Sequence, residues 1–136
     1  MTAVVKDMLD AHPAAQDDVH RTELIRCIEE CIACAQACTA CADACLSEEM
    51  VAGLTKCIRT DADCADICRT TAAVLSRRTG YDVTVARAVL LACATTCKVC
   101  GDECASHADQ HDHCQVCADA CRRCEQACND LLASLG

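Results

Sequence analysis

The sequence predicts an all-α protein, an antiparallel up-down-up-down four-helix bundle with a short extra helix at its N-terminus. Three observations carry that reading. Only four Gly and one Pro occur in 136 residues, so little interrupts regular structure. Along four segments cysteines recur at steps of three, four or their sum, seven, the period that keeps side chains on one stripe of a helix. The breaks between those segments are short, which makes sequential helices antiparallel neighbours.

Taken in order, residues 2–12 read as a short amphipathic helix with Val4, Val5, Met8 and Leu9 on one side; Pro13 ends it, and it is expected to pack on the outside of the main body. Four longer helical segments follow at 18–46, 48–78, 83–108 and 113–134. Asp18 and Ser47 are the expected N-caps of the first two, and Gly80 in the turn Thr79-Gly-Tyr-Asp82 falls just past a helix end. Asp112 with Gln115 resembles a capping box at the start of the last. The whole of 1–136 is expected to be one domain, with 1–13 packed outside and 18–134 forming the bundle.

The stripe is made of thiols. Cys27, Cys31, Cys34, Cys38, Cys41 and Cys45 mark the first long segment, and Cys57, Cys64 and Cys68 the second. Cys93, Cys97, Cys100 and Cys104 mark the third, and Cys114, Cys117, Cys121, Cys124 and Cys128 the fourth. All 18 cysteines thus fall on the a/d seam of their own helix, a seam that offers two positions in seven. With no Phe, no Trp and one Tyr, the core must be built from Ala, Leu, Ile, Val and these thiols, which behave as small apolar residues when buried. Filling a tight core explains their burial; it does not explain why Leu, Ile and Val are so scarce in the middle of the seam.

A disulfide scaffold fits poorly. The N-terminal stretch has no basic region followed by an apolar one, so the thiols are expected to be reduced and the protein cytoplasmic. Cysteines four apart on a helix hold their Cβ atoms roughly 5–6 Å apart, whereas a disulfide needs about 3.8 Å. The formal charge of −9 argues against nucleic acid and anionic membrane surfaces as partners and suits a cation. No run is expected to approach the ~18 apolar residues of a membrane span.

Facing thiolates in a narrow bundle are soft ligands, which select Cu(I), Zn(II) or iron–sulfur chemistry. Two cysteines one turn apart can close on a two-coordinate Cu(I), and bridging thiolates can repeat that arrangement. Zinc wants closed tetrahedral sites, and iron–sulfur ligands sit mostly on loops with free N–H groups. Cu(I) therefore ranks first, and a zinc- or cadmium-binding, metallothionein-like thiol protein is the alternative.

The seams also give the column two ends. Leu24, Leu75, Leu90, Leu131 and Leu135, with Ile28, Val74 and Leu132 beside them, form an apolar plug at one. At the other lie Met50 and Leu54 before Cys57, and His107, His111 and His113 around the start of the last helix. The three histidines are candidate copper ligands or a solvated polar turn; Met50 is a candidate thioether ligand or a gap-filler. Asp61 takes a seam position between Cys57 and Cys64. A carboxylate there needs a partner: it is either a relay that attracts the cation and hydrogen-bonds a histidine, or a structural pair with Lys56, Arg59 or a neighbouring helix. His12 and His20 read as solvated or structural, and Ile32, Ile67, Val99 and Val116 as off-seam apolar residues that can pack between bundles.

Repeated Cys-x3-Cys and Cys-x2-Cys on one face of four helices, with the turn "HADQHDHC" between the last two, resembles the cytosolic branch of the bacterial copper storage proteins over about residues 20–132. The resemblance implies a bundle filled with multiple Cu(I) ions bound mainly between cysteines, and a homotetramer of such bundles. The expected function is storage and buffering rather than catalysis, since nothing resembles a nucleophile–base pair or a phosphate loop. A cytosolic copper chaperone or a small thiol is the expected donor of the ions.

Overall fold

A computed structural model describes residues 3–14 and 19–135. The described residues contain helices and no strand: α1 (Ala3–Ala11), α2 (Arg21–Leu46), α3 (Thr55–Ser76), α4 (Val83–Ala105) and α5 (Asp112–Ser134), with a 3₁₀ turn at Val51–Leu54. The four long helices close a ring, α2 packing on α3 and α5, and α4 on α3 and α5.

Small side chains allow the ring to be narrow. The buried face of α4 is Ala86, Leu90, Cys93, Ala94, Cys97, Cys100, Gly101 and Cys104, and α5 inserts Ala118, Ala120 and Ala127 between its cysteines. At Gly101 a Cβ would stand 2.9 Å from the Arg122 guanidinium and 3.3 Å from Cys121 Cβ, so the missing side chain leaves α4 and α5 close together at that level and a Cβ there would push on both neighbours. α4 is also the one described helix long and apolar enough to cross a membrane, with a mean hydropathy of 1.6, contrary to the expectation that no stretch approaches a span. Its Ala, Val and Cys content produces that value, and its cysteine face is wall of the bundle core.

The helix ends depart from expectation in instructive ways. Ser47 closes α2 instead of opening α3, its N–H donating to Ala44 O at 3.0 Å. α3 begins only at Thr55, because the intervening 3₁₀ turn tightens the chain enough to carry Leu54 into the core, where it is 3% exposed. Asp18 lies outside the described residues. Asp112 is the first residue of α5 and His111 its N-cap, so Asp112 sits one position too late to cap; Gln115 turns to Asp119, at 2.9 Å. The α4 cap is Asp82, whose Oδ1 accepts from the N–H groups of Thr84 and Val85 at 2.8 and 3.3 Å. Gly80 before it has φ 65°, a left-handed conformation that a Cβ would strain.

α1 lies across the bundle by a shallow contact. Leu9 is buried and Val5 packs against the core, while Val4 and Met8 remain exposed. Asp10 ties it down through Arg21 at the start of α2, and within α1 it pairs with Lys6 at 2.8 Å. His12 holds the chain beyond the helix, its Nδ1 accepting from Ala14 N–H at 3.0 Å.

Candidate metal centre

All 18 cysteines are free thiols and all are buried. Between α2 and α5 the sulfur pairs are Cys27–Cys128 at 3.7 Å, Cys34–Cys121 at 3.8 Å and Cys41–Cys114 at 4.0 Å. Each step of seven residues up α2 is matched by seven down α5. The same register joins α3 to α4, with Cys57–Cys104, Cys64–Cys97 and Cys68–Cys93 each at 3.8 Å. Diagonal contacts link the two sets: Cys31–Cys93 and Cys38–Cys100 at 3.9 Å, and Cys68–Cys124 at 4.0 Å. The seam spacing of the sequence therefore becomes a connected column of sulfur.

These separations suit metal binding. Two bonds of about 2.3 Å meeting at a tetrahedral angle put sulfurs ~3.8 Å apart, and wider angles with slightly shorter bonds give similar or greater distances. Quartets of sulfurs lie within 4.8 Å of one another, among them Cys34/Cys38/Cys64/Cys121 and Cys38/Cys100/Cys117/Cys121. The quartets share members. Cys38 and Cys121 belong to both of these, so the column is a set of fused sites and not a row of separate four-ligand cages.

Asp61 sits inside this column with no exposed surface. Its Oδ1 accepts from the thiols of Cys100 at 3.1 Å and of Cys104 and Cys117 at 3.3 Å, while Cys57 lies 3.8 Å from Oδ2. Of the partners expected from the sequence, it bonds neither a histidine nor Lys56 or Arg59 but the neighbouring helices, through the thiols of Cys100 and Cys104 on α4 and Cys117 on α5. Lys56 instead reaches Glu103 and Arg59 reaches Asp63, out at the surface, because both project from the outer face of α3. Burial, with the neighbouring thiols of Cys100 and Cys41 adding to it, pushes the Asp61 carboxyl up to about 9, so at neutral pH it carries its proton. Burial likewise raises the thiol of Cys45 to about 11, with Cys41 beside it adding to the effect.

Beyond Cys41 and Cys114 the column opens to polar residues. His113 Nδ1 lies 3.3 Å from Cys41 Sγ and 3.7 Å from Cys114 Sγ, and its Nε2 is 2.8 Å from Glu48 Oε2. Burial alone would lower the His113 pKa, but the bonds to Cys41 and Glu48 outweigh it and the net shift is upward. His111 stacks on His113, ring centroids 5.5 Å apart, and reaches the same Glu48 oxygen at 2.9 Å. His107 is held one turn up α4 by Glu103, at 2.8 Å. Met50 is 73% exposed and does not join the cluster. Glu48 and Glu103 are the residues that sequence reasoning missed: Glu103 precedes His107 by four, a visible helical pairing, whereas nothing local ties Glu48 to residues 65 positions away.

Among the described residues, the seam at the opposite end is lined by leucines. Leu75 and Leu90 are fully buried, with Leu131, Ile28 and Leu24 nearly so. Thr71, also buried, donates its hydroxyl to Ile67 O at 2.8 Å and is thereby internally satisfied.

The family model for copper storage proteins matches residues 20–133. The copper storage protein Ccsp of Streptomyces lividans, in a structure loaded with 10 copper equivalents, is 68% identical; the match has a TM-score of 0.93 and covers 96% of this chain and 98% of that one. Cu(I)-bound copper storage protein BsCsp3 is 36% identical, with a TM-score of 0.71 over 85% of this chain and 99% of that one. An uncharacterized cysteine-rich protein of Bacillus subtilis (strain 168), YhjQ, is 43% identical over 79% of this chain and 94% of its own length.

Proposed function

Because the chain belongs to the copper storage protein family, we propose that it stores and buffers Cu(I) in the cytoplasm, binding many ions through the thiolates that line its core. The observation that carries this reading is the sulfur column itself. Its members stand 3.7–4.0 Å from several neighbours at once, as Cys38 does from Cys34, Cys100, Cys117 and Cys121. Sulfurs so placed can bridge, and bridging gives a capacity on the order of one Cu(I) per cysteine. The copper-loaded relatives and one described as cytosolic support the metal and the compartment.

Copper arrives, in this reading, from a cytosolic chaperone or a small thiol at the histidine end. His113 takes it first and hands it to Cys41 and Cys114, which its Nδ1 already faces. Each thiol that binds must lose a proton, so loading is favoured by rising pH and releases protons. As Cu(I) replaces the S–H protons of Cys100, Cys104 and Cys117, Asp61 loses its hydrogen-bond donors and its carboxyl turns toward an ion. His107, His111, His113, Asp61 and the 18 cysteines thus form one route from solvent to store, in which Met50 has no part.

The matched registers of α2 with α5 and of α3 with α4 support an antiparallel up-down-up-down arrangement in a single domain, with 1–13 outside and 18–134 as the bundle. Exposed Ile32, Val99 and Val116 offer apolar surface for contact between bundles, in keeping with the homotetramer that the family resemblance implies. A column of mutually bonded thiols offers no room for an organic substrate, which supports storage over catalysis.

The decisive experiment is anaerobic titration of the reduced protein with Cu(I) against a strong Cu(I) chelator, repeated with zinc. Saturation near one tightly bound Cu(I) per thiol is expected. Saturation at about one metal per four thiols with zinc preferred would favour the second reading, a zinc store, for which the sulfur quartets are geometrically adequate.

A further inference from the structure

We infer that Glu48, His111 and His113 form a separate site for one divalent cation of the zinc type, set above the thiol column and chemically distinct from it. Three donors converge: the same oxygen, Glu48 Oε2, lies 2.9 Å from His111 Nδ1 and 2.8 Å from His113 Nε2. Two imidazoles and one carboxylate are a borderline nitrogen–oxygen set, which suits Zn(II), Co(II) or Ni(II) and leaves coordination positions for water. Cu(I) selects the sulfurs below.

The two nitrogen-to-oxygen distances need little adjustment. A cation with bonds of about 2.0–2.1 Å to nitrogen and 2.0–2.2 Å to oxygen holds those atoms roughly 3.3 Å apart, so each present hydrogen bond must lengthen by about half an ångström. The side chains keep 15–30% of their surface in solvent, enough for an ion to arrive from outside and too little for the three to turn freely. Stacking of the two rings, 22° from parallel, fixes their relative orientation.

The far side of His113 completes the site. A ring bound to metal through Nε2 carries its proton on Nδ1 and needs an acceptor there, as metal-bound histidines usually have. Cys41 Sγ, 3.3 Å from Nδ1, is that acceptor. The proton that His113 Nε2 now donates to Glu48 moves to its Nδ1, the one that His111 Nδ1 donates moves to its own Nε2, and no proton need leave the protein if both rings are neutral. His107 lies outside the site, paired with Glu103.

The inference rests on the mouth described above, not on which ion fills the column. To keep divalent ions off the thiols, the wild type and Glu48→Gln are first loaded with Cu(I) under anaerobic conditions. Their copper content and circular dichroism are measured, so a failure to load or fold is seen before any divalent ion is added. Co(II) is then titrated in. One Co(II) per chain is expected in the wild type, with visible d–d bands and without intense near-ultraviolet thiolate-to-metal charge transfer; Zn(II) should displace it. Glu48→Gln is expected to weaken binding at least tenfold. No stoichiometric Co(II) binding, strong thiolate charge transfer, or equal affinity in the two proteins would each overturn the assignment.

Discussion

At the closed end of the thiol column Leu75 and Leu90 have no exposed surface and Leu131 only 2%; at the open end the side chains of Glu48, His111 and His113 keep 30, 15 and 25% of theirs. The first set holds no atom that can take a cation, and its burial stabilises the bundle in every metal state. The second holds its ligands in hydrogen bonds to carboxylates, which an arriving ion can replace one at a time. Stability and exchange are therefore assigned to opposite ends of one structure. A metal store needs that separation, because a mouth that also held the fold together could not open to ligand exchange without cost to the whole.

The largest effect should come from the closed end. Leu75→Ala removes a fully buried side chain and is expected to cost the apoprotein about 2–5 kcal/mol, read by chemical denaturation. The initial rate of Cu(I) uptake should not change. Faster uptake by this variant would mean that copper also passes the leucines, and the contrast between the ends would collapse.

Asp61 lies between the two regions and sharpens the contrast through pH. Its folded pKa of about 9 exceeds the ordinary 3.8, so between those values the folded protein holds a proton that the unfolded chain has released. Its contribution is intact below pH ~4 and is lost progressively as pH rises toward 9, with a slope of at most about 1.4 kcal/mol per pH unit. Asp61→Asn keeps the oxygen that three thiols reach but cannot ionise. The variant should be more stable than the wild type at pH 8, and the two should converge near pH 4. Parallel denaturation curves from pH 5 to 8 would show that Asp61 is ionised in the bundle.

The column was legible in the sequence because every contact that builds it follows from a period. Steps of three and four place Cys34 and Cys38 on one stripe, and steps of seven on two helices match Cys34 to Cys121. Helix ends were less legible. Ser47 and Asp112 have capping side chains in plausible places, yet a 3₁₀ turn and a one-residue offset of α5 gave the caps to other positions, including Asp82. The mouth was half legible: its histidines announce themselves by type, but Glu48 meets His113 only through the fold, across 65 residues. The partners of Asp61 were legible only as far as a neighbouring helix, for a related reason. A buried acid is expected to seek a charge, and the fold supplies thiols, whose hydrogen bonding to a carboxyl no local pattern reveals.

The smallest effect should come from Met50, and it tests how narrowly the mouth is defined. Met50 lies in the same loop as Glu48, carries a sulfur ligand suited to Cu(I), and would belong to any mouth drawn from sequence alone. Its side chain, however, points outward, 73% exposed, while Leu54 four residues on turns into the core. Met50→Ala should therefore change stability by less than about 0.5 kcal/mol and leave the stopped-flow rate of Cu(I) uptake unaltered. His113→Ala, measured beside it, should slow uptake several-fold with nearly the same final copper content, because His113 alone among the mouth residues touches both Glu48 and Cys41. Equal slowing by the two variants would mean that the loop as a whole, thioether included, receives the ion. The mouth would then be a mobile collection of soft ligands instead of a fixed imidazole gate.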